Sequence, residues 1–590
     1  MRIAELSYLQ GLHALWEALG HDQRRILTFL AVLMVSAAIL EGFIVGSVLP
    51  LVESLMASEC VEKEFLSYRI DIGLDCDSAV ARWGFLAGFL ACVLASAALK
   101  LWILKVSTFL AASVGNSLAV RVFENSLTAD YKTHLKNNSS DTISAGEKVQ
   151  MVISGVLMPF LQVVVSLALV ISIALMLFII DSELSIAIIT LTTILYSVVV
   201  YLVRRRLSVN SRIFATCHQK KLKITAESFG GIIDLIMSGS QATYVEKFSR
   251  LDREMRSAQA SNNIISTLPK IILETAGLSA IVCGSFFIAM SSTGGFSSSI
   301  PLLGAFALGA QRAMPLIQQV YLGWSKFKGN VKLLDDVLKR ARCAEHKPLV
   351  LETLDTWSER LVLENVSFKY DADSKFILDD VSLEIKKGEI VGVKGTTGGG
   401  KSTLIGILGG LLSPSAGKIL VDGTQLNASN VQSWRTQIAY LPQHIYLFDG
   451  TIRENLSSGA DGQVDDSKLI RACAAAEILE FIRSLPEGLG TRVGEGGVRL
   501  SGGQKQRLGL ARVLMRSPQI LILDEATSAL DVDTEEKIMG NLKTLWSSNL
   551  SIIIVAHRLK TLEWCDKFFT VDKSAVRVEI AAESGFGSIY

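Results

Sequence analysis

The chain has 590 residues, enough for two or more domains, and its 58 Lys+Arg against 57 Asp+Glu leave a formal net charge of +1. That balance excludes recruitment to nucleic acid by overall charge, so no nucleic-acid partner is expected. With 49% hydrophobic and only 19% charged residues, the chain is too apolar for a soluble two-domain enzyme, and membrane spans are expected.

The long apolar stretches lie in residues 1–325. A hydrocarbon core of ~30 Å takes about 20 apolar helical residues. Six segments qualify: about 26–51, 80–112, 150–180, 184–204, 264–291 and 299–323. A tight hairpin at Asp181–Glu183 joins the third and fourth, and a Ser/Gly-rich stretch from Ser291 to Ser299 joins the last two.

Lys and Arg fix the orientation. Arg24 and Arg25 precede span one, Arg121, Lys132, Lys136 and Lys148 follow span two, Arg204, Arg205 and Arg206 follow span four, and Lys326, Lys328 and Lys332 follow span six. The loop between spans one and two is acidic, with Glu53, Glu59, Glu62, Glu64, Asp71, Asp75 and Asp77. All basic segments thus fall on the cytoplasmic side of a multi-pass protein with both termini inside. The cytoplasmic stretches Ala119–Asp130 and Ser208–Asn262 have a helical pattern and read as extensions of the spans. Cys60 and Cys76 share the external acidic loop; a disulfide and two reduced thiols are both compatible with that placement. No signal peptide or CxxC pair is evident.

Five charged residues fall inside expected spans: Glu41, Lys100, Lys270, Glu274 and Arg312. Buried charge in a membrane is costly and marks candidate function. Lys100, Lys270 and Arg312, from three helices, are candidates for holding an anionic substrate group such as a phosphate or pyrophosphate head. A plainer reading also stands: Lys100 snorkels to the interface, and Lys270 pairs with Glu274 at helical i,i+4 spacing.

A polar linker, residues 326–357, leads to an α/β domain over residues 358–590. Gly395-Thr396-Thr397-Gly398-Gly399-Gly400-Lys401-Ser402, followed by Thr403, fits a P-loop between a strand and a helix. Its glycines let the backbone wrap phosphates, Lys401 reaches the terminal phosphates, and Ser402 ligates Mg²⁺. The strand Ile520–Leu523 ends in Asp524, a further Mg²⁺ ligand, and Glu525, placed to polarise the attacking water.

Leu500-Ser501-Gly502-Gly503-Gln504-Lys505-Gln506-Arg507 completes the set. It is the ABC signature, and the chain resembles an ABC exporter half-transporter: a helical membrane domain of six transmembrane helices followed by a P-loop ABC ATPase. The resemblance implies ATP and Mg²⁺ as cofactors. It makes Tyr370 the adenine-stacking aromatic, Gln443 the Q-loop glutamine at Mg²⁺, Asp531 the D-loop aspartate and His557 the switch histidine at the γ-phosphate. Thr397 stands where the family usually has Ser, which keeps a hydroxyl. In this family the signature of one subunit closes on the ATP of another, so intact motifs imply a homodimer with two active sites; a heterodimer remains open.

A second resemblance covers the membrane half. Leu40-Glu41-Gly42-Phe43, Leu268-Pro269-Lys270, Arg312-Ala313-Met314-Pro315 and, in the ATPase, Leu441–Phe448 are similar to bacterial lipid-linked oligosaccharide flippases of the protein-glycosylation pathway (PglK type). This implies a lipid-linked anionic cargo turned from the inner to the outer leaflet of the bacterial inner membrane. A multidrug or other lipid exporter, a peptide exporter, and an ATP-gated channel or regulatory ABC protein are the alternatives.

Overall fold

A computed structural model describes residues 16, 19–56, 79–136, 139–291, 300–342, 352–371, 373–457, 465–526, 529–545, 550–555, 563–572 and 574–580. Cys60, Cys76 and His557 lie outside the described residues. The chain forms two compact units, one of Met1–Ala129 with Asn137–Glu345, the other of Asp130–Lys136 with His346–Tyr590.

The first unit is helical: α1 His21–Met56, α2 Ala79–Thr128, then, after α3 Tyr131–Lys136 of the second unit, α4 Ser139–Val152, α5 Met158–Ile180, α6 Ser182–Gly230, α7 Ile232–Ser238, α8 Gln241–Ser291 and α9 Ile300–Arg342. One turn of π-helix, Ile153–Leu157, joins α4 to α5 just ahead of Pro159. Among the described residues, four stretches are long and apolar enough to cross a membrane: His21–Val52, Leu86–Thr128, Gly146–Ile180 and Ser182–Val203. The segments expected as spans five and six fall within α8 and α9.

The apolar residues of α1 split by face. Leu30, Met34, Ala37 and Ala38 are buried, packed in one core with Leu110 and Val114 of α2, Leu161 and Leu169 of α5, and Leu334 of α9. Val32, Val35 and Ile39 point outward and are more than half exposed. An apolar exterior of this kind is stable only against lipid or protein. The corner between α5 and α6 is Asp181 alone, whose side chain accepts from the Leu184 N–H at 3.0 Å and caps α6. Of the stretches expected as helical extensions, Ala119–Thr128 belongs to α2, and Ser208–Gly230 and Gln241–Asn262 belong to α6 and α8.

Residues of the expected linker are divided between the two units. Its first half, Lys326–Arg342, continues α9, because Phe327, Leu334, Val337 and Leu338 keep a helical apolar stripe that is buried. Its last residue, Trp357, belongs to the ATPase core: it is fully buried, edge-on to Trp434, with its backbone N–H donating to Gln437 Oε1 at 2.7 Å.

The second unit carries two sheets. β1 Arg360–Phe368, β2 Leu378–Lys386, β4 Ala416–Val421 and β5 Thr424–Gln425 form an antiparallel sheet in the order β2-β1-β4-β5. β3 Ile390–Gly395, β6 Ile438–Leu441, β7 Ile520–Asp524, β8 Ser551–Val555, β9 Lys567–Asp572 and β10 Ala575–Ile580 form the other, in the order β10-β9-β3-β8-β7-β6. All but β10 run parallel in it. β7 and β8 are buried on both faces, which is why their sequences are continuous apolar runs.

Candidate nucleotide and substrate sites

The carboxyl ends of the central parallel strands gather the motif residues. β3 ends at Gly395, the loop turns through Gly398 (φ 79) and Gly400 (φ 107), and the helix Lys401–Leu408 begins. Lys401 is buried and donates to its own loop, to the Gly395 carbonyl at 2.8 Å and the Thr396 carbonyl at 3.0 Å. An ammonium bent onto two carbonyls has donors that phosphate oxygens can take over, so the loop fits a nucleotide. Ser402 is exposed in the first turn of the helix, while Thr403 is buried with its hydroxyl 3.2 Å from the Tyr370 hydroxyl. The Tyr370 ring stands edge-on to Phe368, and Lys132 of α3 lies 5.8 Å from that Phe368 ring.

Asp524 and Glu525 follow β7. Burial pushes the Asp524 carboxyl above the ordinary carboxylate range; the charge of Glu525 adds to this, and a hydrogen bond from the Tyr440 hydroxyl at 2.8 Å opposes it. Two adjacent carboxylates with this strain fit a divalent cation. Among the described residues no group of three or more His, Cys, Asp or Glu side chains could hold one by itself. Ser402, Asp524 and Gln443 are the residues that would hold Mg²⁺ together with the nucleotide phosphates. Gln443 here donates its amide to Glu525 at 2.8 Å. Glu525 has φ 50, a left-handed backbone that a side chain rarely adopts, and its N–H is held by the Val555 carbonyl. Tyr440 had no place in the motif set; the only signal for it is an aromatic at the third position before Gln443.

The signature residues open the helix Gly502–Leu514. Ser501 caps it: its side chain accepts from the Gln504 N–H at 3.3 Å, and the Gln504 side chain accepts from the Ser501 N–H at 2.8 Å. Ser501 and Gly502 are exposed, and Gly503 is half-buried. Gln506 accepts from the Ala529 N–H at 3.0 Å, tying this helix to the D-loop. Asp531 caps the next helix, taking the Thr534 N–H at 2.9 Å and its hydroxyl at 2.8 Å. Its bonds in this structure are thus local ones to Thr534.

In the helical unit, Glu41, Lys100, Leu308, Gln311, Arg312 and Pro315 line a cavity of about 430 Å³. Glu41 is only 1% exposed. It accepts from Ser96 at 2.7 Å and pairs with Lys100 at 2.7 Å and with Arg312. Of the expected basic trio, Lys100 and Arg312 line this cavity together. Lys270 is half-exposed beside Glu274 at 3.7 Å, the i,i+4 pairing its spacing allows, and it does not line the cavity.

Residues 378–528 match the family model described as ABC transporter. An ATP-dependent lipid A-core flippase of Pseudoalteromonas translucida (strain TAC 125) is 30% identical over 486 residues, 80% of this chain and 81% of that one. A multidrug resistance ABC transporter ATP-binding and permease protein of Lactococcus lactis subsp. lactis (strain IL1403) is 36% identical over 264 residues, 45% of this chain. The chain spans only 36% to 44% of the length of that protein and two other relatives named for multidrug export or resistance. A solved bacterial Atm1-family ABC exporter with ATP bound superposes with a TM-score of 0.77 at 19% identity, over 95% of this chain and 96% of that one. A family match on the motif-bearing strands and a relative aligned over four-fifths of both sequences lead to one conclusion: the chain belongs to the ABC exporters, as a half-transporter with its helical membrane domain and ATPase domain on one polypeptide.

Proposed function

We propose that this chain is an ATP-driven exporter or flippase that works as a homodimer and moves an amphiphile with an anionic head group from the inner to the outer leaflet of a bacterial inner membrane. The finest form of this reading makes the cargo a polyprenyl-pyrophosphate-linked oligosaccharide. It assigns residues 1–325 to a six-span domain, 326–357 to the connection and 358–590 to the ATPase, with both termini cytoplasmic.

The carrying observation is the cavity where Lys100 and Arg312 share one carboxylate, leaving one net positive charge among apolar residues. A lone excess cation in an apolar surround favours an anion with an attached hydrocarbon. The flippase name of a long relative points the same way.

In the ATPase, Lys401, Ser402 and the P-loop backbone hold the phosphates, and Tyr370 stacks on the base. When bound, Mg²⁺ neutralises phosphate charge. Glu525 takes the proton of the attacking water, and His557 serves the γ-phosphate. Ser501, Gly502, Gly503 and Gln504 of a second copy close the site with a helix N-terminus, which favours negative charge. Gln443 donates its side-chain amide to Glu525 in this structure, within reach of the same metal and phosphates.

The test is ATP-dependent translocation of defined lipid-linked glycans in proteoliposomes, with Glu525→Gln as the inactive control. Flipping that survives Lys100→Ala/Arg312→Ala unchanged sinks the anionic-head reading. A second reading, export of hydrophobic drugs, is favoured by the relatives named for multidrug resistance. It predicts drug-stimulated ATP hydrolysis indifferent to the same substitutions.

A further inference from the structure

The cavity holds an element that a simple anion receptor lacks. Its two cations face the open space, with side chains 39% exposed for Lys100 and 24% for Arg312, while the carboxylate that joins them sits behind at 1%. Glu41 belongs to α1, Ser96 and Lys100 to α2, and Arg312 to α9, and the packed stretch of α5 (Met158–Ile180) offers no titratable group. Among the described residues, the charged side chains lining the cavity are two positive, Lys100 and Arg312, and one negative, Glu41. An incoming head group meets cations already engaged by an internal anion. It must share Arg312 and Lys100 with Glu41 or take them from it.

We propose, building on the anionic-head reading above, that Glu41 is a specificity-determining residue: an internal competitor that occupies the two head-group cations and limits how much negative charge the cavity accepts. Its position suits this role better than that of a plain staple between helices. A staple gains nothing from leaving its cations open to a cavity, whereas a competitor must. With Glu41 in place the cluster carries one net positive charge, so a head group gains less from each added negative charge than it would from the two cations alone. Ser96 keeps a hydrogen bond on the carboxylate when the cations turn to the ligand, so Glu41 is not left without a partner. The cluster also rejects neutral amphiphiles, which offer nothing in exchange for the ion pairs they disturb.

The experiment uses the full-length protein in phosphatidylcholine nanodiscs. Equilibrium binding of three radiolabelled probes with one tail is measured: polyprenol, polyprenyl monophosphate and polyprenyl pyrophosphate. Glu41→Gln is expected to bind the monophosphate about tenfold more tightly than wild type and to gain more for the pyrophosphate, with polyprenol unchanged. Loosened or unaltered binding of all three probes overturns the inference. The charge-balanced variant E41Q/R312Q covers the case in which E41Q does not fold. It should bind the monophosphate more tightly than R312Q alone, and equal or weaker binding overturns the inference as well. Where wild type prefers the phosphates, R312Q loses that preference and E41Q gains nothing, only the role of Glu41 falls. Where wild type treats polyprenol and the phosphates alike, the anionic-head reading falls with it.

Discussion

Gly395 offers the sharpest test of how the P-loop is built. It is the last residue of β3, opposite Val571 of β9, with φ 149. A Cβ there would stand 2.1 Å from the Val571 carbonyl oxygen and 3.0 Å from its carbon. Both atoms are backbone within a paired ladder, so relief requires parting β3 from β9 by about 1 Å, at an overpacking cost of about 3 kcal/mol or more. Gly398 separates the two causes of strain. It also has positive φ, at 79, but a Cβ there meets nothing within 4 Å. Gly398→Ala should therefore cost only the left-handed backbone, about 1–2 kcal/mol. In a domain of this size the two substitutions should lower the melting temperature by about 6–12 °C and about 2–8 °C respectively. Differential scanning fluorimetry of the purified transporter, with a fluorescent ATP analogue to report binding, reads both. If Gly395→Ala melts no lower than Gly398→Ala, steric contact with β9 is not what selects glycine here.

Three further outcomes follow from the site. Burial raises Asp524, so the folded ATPase binds its proton more tightly than the unfolded chain, and its contribution to stability falls as pH rises through the carboxylate range. Asp524→Asn should accordingly melt higher than wild type at pH 7.5 without nucleotide yet lose the stabilisation by Mg·ATP; a lower apo melting temperature contradicts the argument. Glu525→Gln should retain ATP binding while hydrolysis, followed by phosphate release, drops about 10²–10⁴-fold, as expected for loss of a general base; activity within tenfold of wild type would reassign the base. Ser501→Ala removes one half of the capping box and should cost about 1 kcal/mol of thermal stability, with a fall in ATP hydrolysis that Ser501→Thr restores.

The ATPase was legible because its chemistry is local. Phosphate recognition requires a contiguous glycine-rich loop at a helix start, and the signature requires a cap and two glycines in a row, so each announces itself within eight residues. The Lys270–Glu274 pair was legible for the same reason, since helical spacing alone brings it together. The Glu41 cluster was not. Its partners Ser96 and Arg312 lie 55 and 271 residues away, Lys100 one turn beyond Ser96, and only the packing of α1, α2 and α9 joins them. Charge in a span marked the three residues as candidates, but not that a carboxylate would take both cations. Tyr440 escaped because a strand aromatic is ordinarily a packing residue. In residues 326–342 the Lys residues obscure an apolar stripe of Phe327, Leu334, Val337 and Leu338 whose period is visible only once the helix is traced.

The backbone of Glu525 has a consequence for how this domain can change. A glutamate held at φ 50 lowers the stability of the apo fold by about 1 kcal/mol compared with a glycine in the same place. Selection for a sturdier fold alone would favour glycine at 525, so a requirement for the carboxylate itself has to oppose it. Substitutions that stabilise the fold elsewhere are what permit the glutamate to persist. The transporter's tolerance for mutation at large is thus bound to one peptide unit beside its phosphate site.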